Sequence, residues 1–254
     1  MGEPPADNAA SGLRNLRDVG GIPAAGGRQV ARGRLYRSDA PIVGDPEPEL
    51  RPWPPRAVVD LRSPGEARSD DHPLASEQTR IVNIPLFRQL EPGRPAGVDA
   101  TDPPGLPAIY RRLMRASAVN LVAVVRVIAD SPSPVLVHCA AGKDRTGVVT
   151  AVALAAVGAS PDAIVADYLR TEASLDGLLE RLALGWSDEH RDARVQRLTL
   201  QRPDLMLAPA AAIEAVLETL HAWPGATPGW LLEHGLEESE LGALVERLTV
   251  AAAV

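Results

Sequence analysis

One cysteine and one lysine occur in this 254-residue chain, and both fall in the stretch His138-Cys139-Ala140-Ala141-Gly142-Lys143-Asp144-Arg145-Thr146-Gly147. Five residues separate Cys139 from Arg145. An apolar run, Pro134-Val135-Leu136-Val137, leads in, and a helix-forming run, Val148 to Val157, leads out. Strand, tight loop and helix in that order aim consecutive backbone N–H groups at one point, where the helix N-terminus adds positive potential. An anion seated there has a thiol beneath it and a guanidinium fork beside it. Phosphate fits that description.

The residue types match the chemistry. A cysteine attacks only as its thiolate, so the site must lower the thiol pKa below its free value of about 8.5. Loop N–H dipoles, the helix N-terminus, Arg145 and Lys143 all act in that direction. The planar fork of Arg145 can grip two phosphate oxygens, which a lysine cannot copy. The amides of Ala140, Ala141, Gly142 and Lys143 form the rest of the cradle, and Gly142 permits positive φ or close backbone approach. The Thr146 hydroxyl can donate to the sulfur or to a nearby oxygen, and His138 fixes the loop from below. The expected reaction is attack of Cys139 on phosphorus, a phosphocysteine intermediate, and hydrolysis by water.

Competing readings explain less. A merely structural cysteine after a buried strand gives no reason for Gly, Lys, Arg and Thr-Gly to follow at these offsets. A zinc centre lacks a second cysteine, and His138 alone cannot complete a tetrahedral shell. A nucleotide-binding loop needs Ser or Thr after its lysine, where this chain has Asp144. None of the assigned roles calls for a metal or a cofactor.

The elements that must position the loop can be read along the chain. Met1 to Ser11 is polar and Pro-rich, and residues 1–11 are expected to be a disordered tail. Short strands are expected at Arg34–Ser38, Ala57–Asp60, Ile81–Pro85 and 134–138, with Leu13–Gly21 approaching the site. Residues 47–50 suggest a short helix, 62–71 a loop with a helical turn, and 88–107 a long loop over one face. Apolar spacing predicts one helix over Ile109–Ile128 and another over 147–157, stopped by Gly158. Ser160-Pro161-Asp162 opens the next helix, with an N-cap and then proline at the first position. Further helices fill the chain to Leu248. Strands feeding helices imply an α/β fold: a short, mostly parallel central sheet flanked by helices, the loop at its carboxyl edge and a helical C-terminal half.

The loop resembles the signature of cysteine-dependent phosphatases, and its Gly-Lys-Asp-Arg-Thr-Gly half is similar to that of the atypical bacterial tyrosine phosphatase family. Further similarity runs through Asn15-Leu16-Arg17-Asp18-Val19-Gly20-Gly21, Gly33-Arg34-Leu35-Tyr36-Arg37-Ser38, Val59-Asp60-Leu61-Arg62, Ile164-Val165-Ala166-Asp167-Tyr168-Leu169 and Gly229-Trp230-Leu231-Leu232. The resemblance implies a cysteine-phosphatase-like fold in one domain over 12–250, with lid helices within 178–207. It implies phosphotyrosine as the leading substrate, phosphoinositides second and a sugar or nucleotide phosphate third. A non-catalytic phosphate-binding module is the alternative from another class, and an intact Cys, Arg and Thr speak against it.

Ordinary tyrosine phosphatases carry their general acid on a Trp-Pro-Asp loop, and neither Trp53-Pro54-Pro55 nor Trp223-Pro224-Gly225 supplies it. Family members retain an aspartate at position 144, so Asp144 is the first candidate for acid and base, with a loop brace as its other reading. Asp60 is the runner-up, with a structural tie through Arg62 or Arg37 as its plainer role. Arg17 and Asp18 are further supporting candidates. Where some relatives place a second acid, this chain has Arg88-Gln89. Lys143 resembles the loop lysine of phosphoinositide phosphatases, against which stands a solvated rim lysine.

A net charge of −7 and 45% hydrophobic residues describe a soluble globular chain and argue against broad binding to nucleic acid or anionic membranes. A single cysteine excludes internal disulfides. No basic start is followed by an apolar run, and no apolar stretch is long enough for an integral membrane segment. The expected location is the cytoplasm, with unconventional export left open because some relatives leave the cell without an ordinary signal. The expected partner is a phosphorylated protein or a small-molecule or lipid phosphate.

Overall fold

The structure, a computed structural model, describes residues 12–67, 72–86, 105–175, 177–178, 181–182 and 207–252. The expected tail (1–11), most of the long loop over 88–107 and nearly all of the expected lid (178–207) lie outside these residues.

A five-stranded sheet carries the site. Its strands are β1 (Arg17–Asp18), β4 (Leu35–Ser38), β5 (Ala57–Asp60), β6 (Arg80–Asn83) and β7 (Val135–His138), in the order β1-β4-β7-β5-β6. Strands β4, β7, β5 and β6 run parallel, and β1 is an antiparallel edge on β4. The Val-rich central strands are buried along their whole length, as strands covered on both faces must be. Period-two alternation sorts their side chains. Leu35, Ala57, Val59, Val135 and Val137 join the main core, whereas Tyr36, Val58 and Leu136 form a small cluster with Leu13 and Leu16 on the opposite face.

Helices α2 (Leu106–Ala116), α3 (Ala118–Asp130), α4 (Asp144–Ala156), α5 (Pro161–Leu169), α6 (Ala210–His221), α7 (Ala226–Glu233) and α8 (Glu238–Leu248) follow the single turn α1 (Pro64–Ala67). Among the described residues, buried side chains from each of these longer helices enter the main core, so helices cover one face of the sheet. Among the described residues, non-helical segments bearing Leu13, Leu16, Leu50, Trp53 and Leu74 pack on the other face. Strands β2 (Pro23–Ala24), β3 (Arg28–Val30) and β8 (Thr249–Ala251) form a second, antiparallel sheet that the sequence did not suggest.

Three further expectations need correcting. The helix expected over 109–128 is broken at Ser117, because α2 packs against α6 while α3 packs against α8, and the chain must turn between the two surfaces. Residues 47–50 are not helical. Helix α4 begins at Asp144, three positions earlier than apolar spacing indicated, so the Asp-Arg-Thr of the loop is its first turn. The signals at the next helix hold: Gly158 takes φ +81, and Ser160 Oγ accepts from the Ala163 N–H at 3.3 Å. Among the described residues no helix is long and apolar enough to cross a membrane.

Candidate active site

Parallel pairing aligns the carboxyl ends of three strands, since His138 of β7 lies in register with Ser38 of β4 on one side and Asp60 of β5 on the other. The chain then leaves the sheet at Cys139, which is 2% exposed, and enters α4 within five residues. The first turn of a helix leaves its N–H groups without intrahelical acceptors, and here that turn faces the loop that holds the thiol.

The loop closes only because residue 142 is glycine. Gly142 takes φ +66, and a Cβ there would lie 2.5 Å from the Ser38 carbonyl carbon and oxygen. Its carbonyl accepts from Asn15 Nδ2 at 2.8 Å and Arg37 Nη2 at 2.9 Å. Ala140 O accepts from the Ala40 N–H at 3.1 Å. Beneath, Asp167 of α5 receives Arg17 Nε at 2.8 Å and Arg37 Nη1 at 2.7 Å, all three side chains being buried. Burial alone would raise the Asp167 pKa, but the two guanidinium groups hold it down to about 2. Arg17 thus supports the loop at one remove, through Asp167 and Asn15.

Arg145 forks onto Glu66 of α1, with Nη1 to Oε2 and Nη2 to Oε1 both at 2.8 Å. Burial works against its charge, yet the Glu66 hydrogen bonds and the Glu66 charge beside it more than offset this and raise its pKa. The guanidinium is therefore a fixed cation at the edge of the loop. Thr146 Oγ1 is buried with no hydrogen-bond partner among the described residues.

A buried thiol, a short loop running into a helix start and an ion-paired guanidinium thus share one carboxyl edge of the sheet. Comparison with known proteins decides the kinship of the chain: a model of the tyrosine phosphatase family matches residues 9–250. The chain belongs to the tyrosine phosphatase family. It is 34% identical over 177 residues to a protein of Cupriavidus necator provisionally named a tyrosine-protein phosphatase, covering 65% of this chain and 63% of that one. It is 33% identical over 129 residues to the triple specificity protein phosphatase PtpB of Mycobacterium tuberculosis, covering 44% of this chain and 42% of that one. A tyrosine-protein phosphatase of Nostoc commune is 33% identical over 127 residues, 48% of this chain and 42% of its own length. The chain thus spans less than two thirds of the length of the curated relatives it matches.

Within this tyrosine phosphatase family member, Asp144 lies at the helix start, its Oδ1 accepting from Tyr110 Oη of α2 at 2.8 Å and lying 3.4 Å from Lys143 Nζ. Tyr110 Oη is also 2.7 Å from Tyr168 Oη of α5. The described contacts engage one carboxylate oxygen, Oδ1. Gly147 makes room for this arrangement, because a Cβ there would meet the Tyr168 ring at 3.0 Å.

Lys143 is not a solvated rim lysine, the plainer of the two readings offered for it. The side chain is 1% exposed, and Nζ donates to the Leu207 carbonyl at 2.8 Å, ahead of α6. Asp60 is held by Arg62, which reaches both carboxylate oxygens, and lies 3.8 Å from His138 Nε2. Asp18 supports a turn rather than the loop, accepting from Gly20 N–H at 2.8 Å and Gly33 N–H at 2.7 Å. His138 is fully buried, with Nδ1 3.2 Å from the Cys139 carbonyl oxygen.

Sequence reading missed Glu66, Tyr110 and His72, the last with Nε2 2.9 Å from His138 Nε2. All three come from segments remote from the loop. A signal existed only for Glu66, in the acid of a short turn placed just after a strand end.

Proposed function

We propose that this protein is a cysteine-dependent phosphomonoester hydrolase acting first on phosphotyrosine in proteins, as one domain over 12–250. The observation that carries the reading is Cys139 buried at the base of the 139–145 loop, with the Arg145 fork fixed by Glu66 at its edge. In the first step Sγ attacks phosphorus and the P–O bond to the leaving group breaks, Asp144 giving that oxygen its proton. In the second, Asp144 takes a proton from water, the oxygen attacks phosphorus, and the S–P bond breaks to return the thiolate and inorganic phosphate. Loop amides and Arg145 stabilise the charge that develops on the equatorial oxygens.

The place of Lys143 supports a simple monoester over a multiply phosphorylated ring, because its ammonium is engaged with the Leu207 carbonyl and Asp144. The reading is tested by p-nitrophenyl phosphate turnover in EDTA, with and without vanadate, followed by a panel of phosphotyrosine, phosphoserine and phosphothreonine peptides, phosphoinositides and nucleotides. Metal-independent, vanadate-sensitive turnover with phosphotyrosine leading supports it. Turnover that requires an added metal would overturn it.

Two substitutions test the assigned roles. Arg145→Lys is expected to lose about 2–4 kcal/mol of transition-state stabilisation, the scale of a removed charge-stabilising donor, read as kcat/KM on p-nitrophenyl phosphate. A rate near that of the parent protein would mean that the fork does not grip phosphate. Asp144→Asn should slow poor leaving groups far more than good ones, since an alkoxide needs its proton in the transition state and p-nitrophenolate does not. The basic limb of its pH–rate profile should flatten. Equal losses on p-nitrophenyl phosphate and a phosphoserine peptide would make Asp144 a brace held by Tyr110.

A further inference from the structure

We infer that His72 is a positioning residue for the nucleophile: it sets the tautomer of His138 and, through it, the hydrogen bond received by the Cys139 carbonyl. The inference rests on the phosphatase reading for its consequences but not for its geometry.

The Leu74 amide donates to His72 Nδ1 at 3.1 Å, and an amide N–H cannot reverse its role. His72 Nδ1 therefore offers a lone pair, and a neutral His72 ring carries its proton on Nε2. That atom lies 2.9 Å from His138 Nε2, so His72 donates and His138 accepts. A neutral His138 then keeps its own proton on Nδ1, which lies 3.2 Å from the carbonyl oxygen of Cys139. One polarity runs from Leu74 through both rings to the backbone of the nucleophile. Burial favours the neutral form of each ring, and His138 is fully enclosed, so water cannot exchange the roles.

Asp60, His72 and His138 also bring one ligand atom each within 4.8 Å of one another, a grouping that could be taken for a cation site. Two observations favour the hydrogen-bond chain. Ligation through His72 Nε2 would move the proton of that ring to Nδ1, directly against the Leu74 N–H. Both Asp60 oxygens already receive Arg62, whose positive charge faces the same space.

The consequence is specific to position 72. Glutamine there still presents an N–H donor to His138 Nε2. Glutamate presents only acceptors at neutral pH, drawing a proton onto Nε2 and either leaving Nδ1 as a lone pair against the Cys139 carbonyl or charging the ring. The test uses the ¹⁵N-labelled full chain at pH 7, with the His138 signals assigned by substitution. Long-range ¹H–¹⁵N correlation reads the tautomer, and the pH dependence of iodoacetamide alkylation reads the Cys139 thiolate. The parent protein and His72→Gln should show His138 protonated on Nδ1 alone and share one alkylation profile. His72→Glu should show protonated Nε2, an altered alkylation profile and about a tenfold loss in kcat with little change in KM.

An Nε2-protonated His138 in the parent protein would overturn the inference, as would an unchanged tautomer in His72→Glu. So would Zn²⁺ titrating both rings at equimolar concentration, which would assign the cluster to a metal. If the tautomers behave as stated and no phosphomonoester is turned over, the proposed function fails while the tautomer assignment stands.

Discussion

Cys139→Ser is expected to abolish phosphomonoester turnover, by roughly a thousandfold or more in kcat, while the protein still folds and binds inorganic phosphate. The change replaces one nucleophile and keeps the amides and Arg145 that hold the anion. Because Cys139 is buried, the new hydroxyl should lower stability by no more than about 2 kcal/mol. The measurements are stopped assays on p-nitrophenyl phosphate, phosphate binding by calorimetry and urea unfolding. A loss of less than about tenfold would place the chemistry on another group.

The second large effect is on stability. Asp167 neutralises both Arg17 and Arg37 in a buried setting, and Arg37 in turn holds the Gly142 carbonyl. Asp167→Asn leaves two buried guanidinium groups without their counter-charge, and breaking such a pair costs about 3–5 kcal/mol. Against a total stability of about 5–15 kcal/mol, that loss should move the urea midpoint far down. The pH dependence fixes the sign. The folded Asp167 pKa, about 2, lies below its ordinary value of 3.8, so its contribution is complete above the ordinary value and is lost as pH falls through the folded one. The gap between parent and variant should therefore be full at neutral pH and narrow in acid. A difference below about 1 kcal/mol at pH 7 would mean that the two arginines are satisfied without Asp167.

The loop was legible in the sequence because few arrangements other than a phosphate cradle require Cys, Gly, Arg and Thr at those offsets. The central strands were legible for a related reason: Ala57–Asp60 and Val135–His138 are short apolar runs that only a sheet covered on both faces explains. What the sequence hid depends on topology. Glu66 reaches Arg145 because β5 and β7 are neighbours with Asp60 and His138 in register, a pairing no local pattern encodes. Tyr110 and Tyr168 meet at Asp144 from two different helices, and His72 comes from a loop whose composition suggests only a turn. The break at Ser117 was hidden too, because apolar spacing marks which residues are buried but not that two successive stretches are buried against different partners. Lys143 shows the same limit: its position in the loop left a phosphate-binding lysine and a solvated rim cation both open, whereas the fold engages its amine with the Leu207 carbonyl.

The covalent intermediate tests the central claim most directly. Wild-type protein mixed with excess p-nitrophenyl phosphate in EDTA, quenched during turnover and digested, should yield a phosphate adduct on the peptide bearing Cys139. The adduct should be missing from Cys139→Ser treated in the same way. Sustained turnover with no adduct on Cys139, or an adduct on any other residue, would contradict the account.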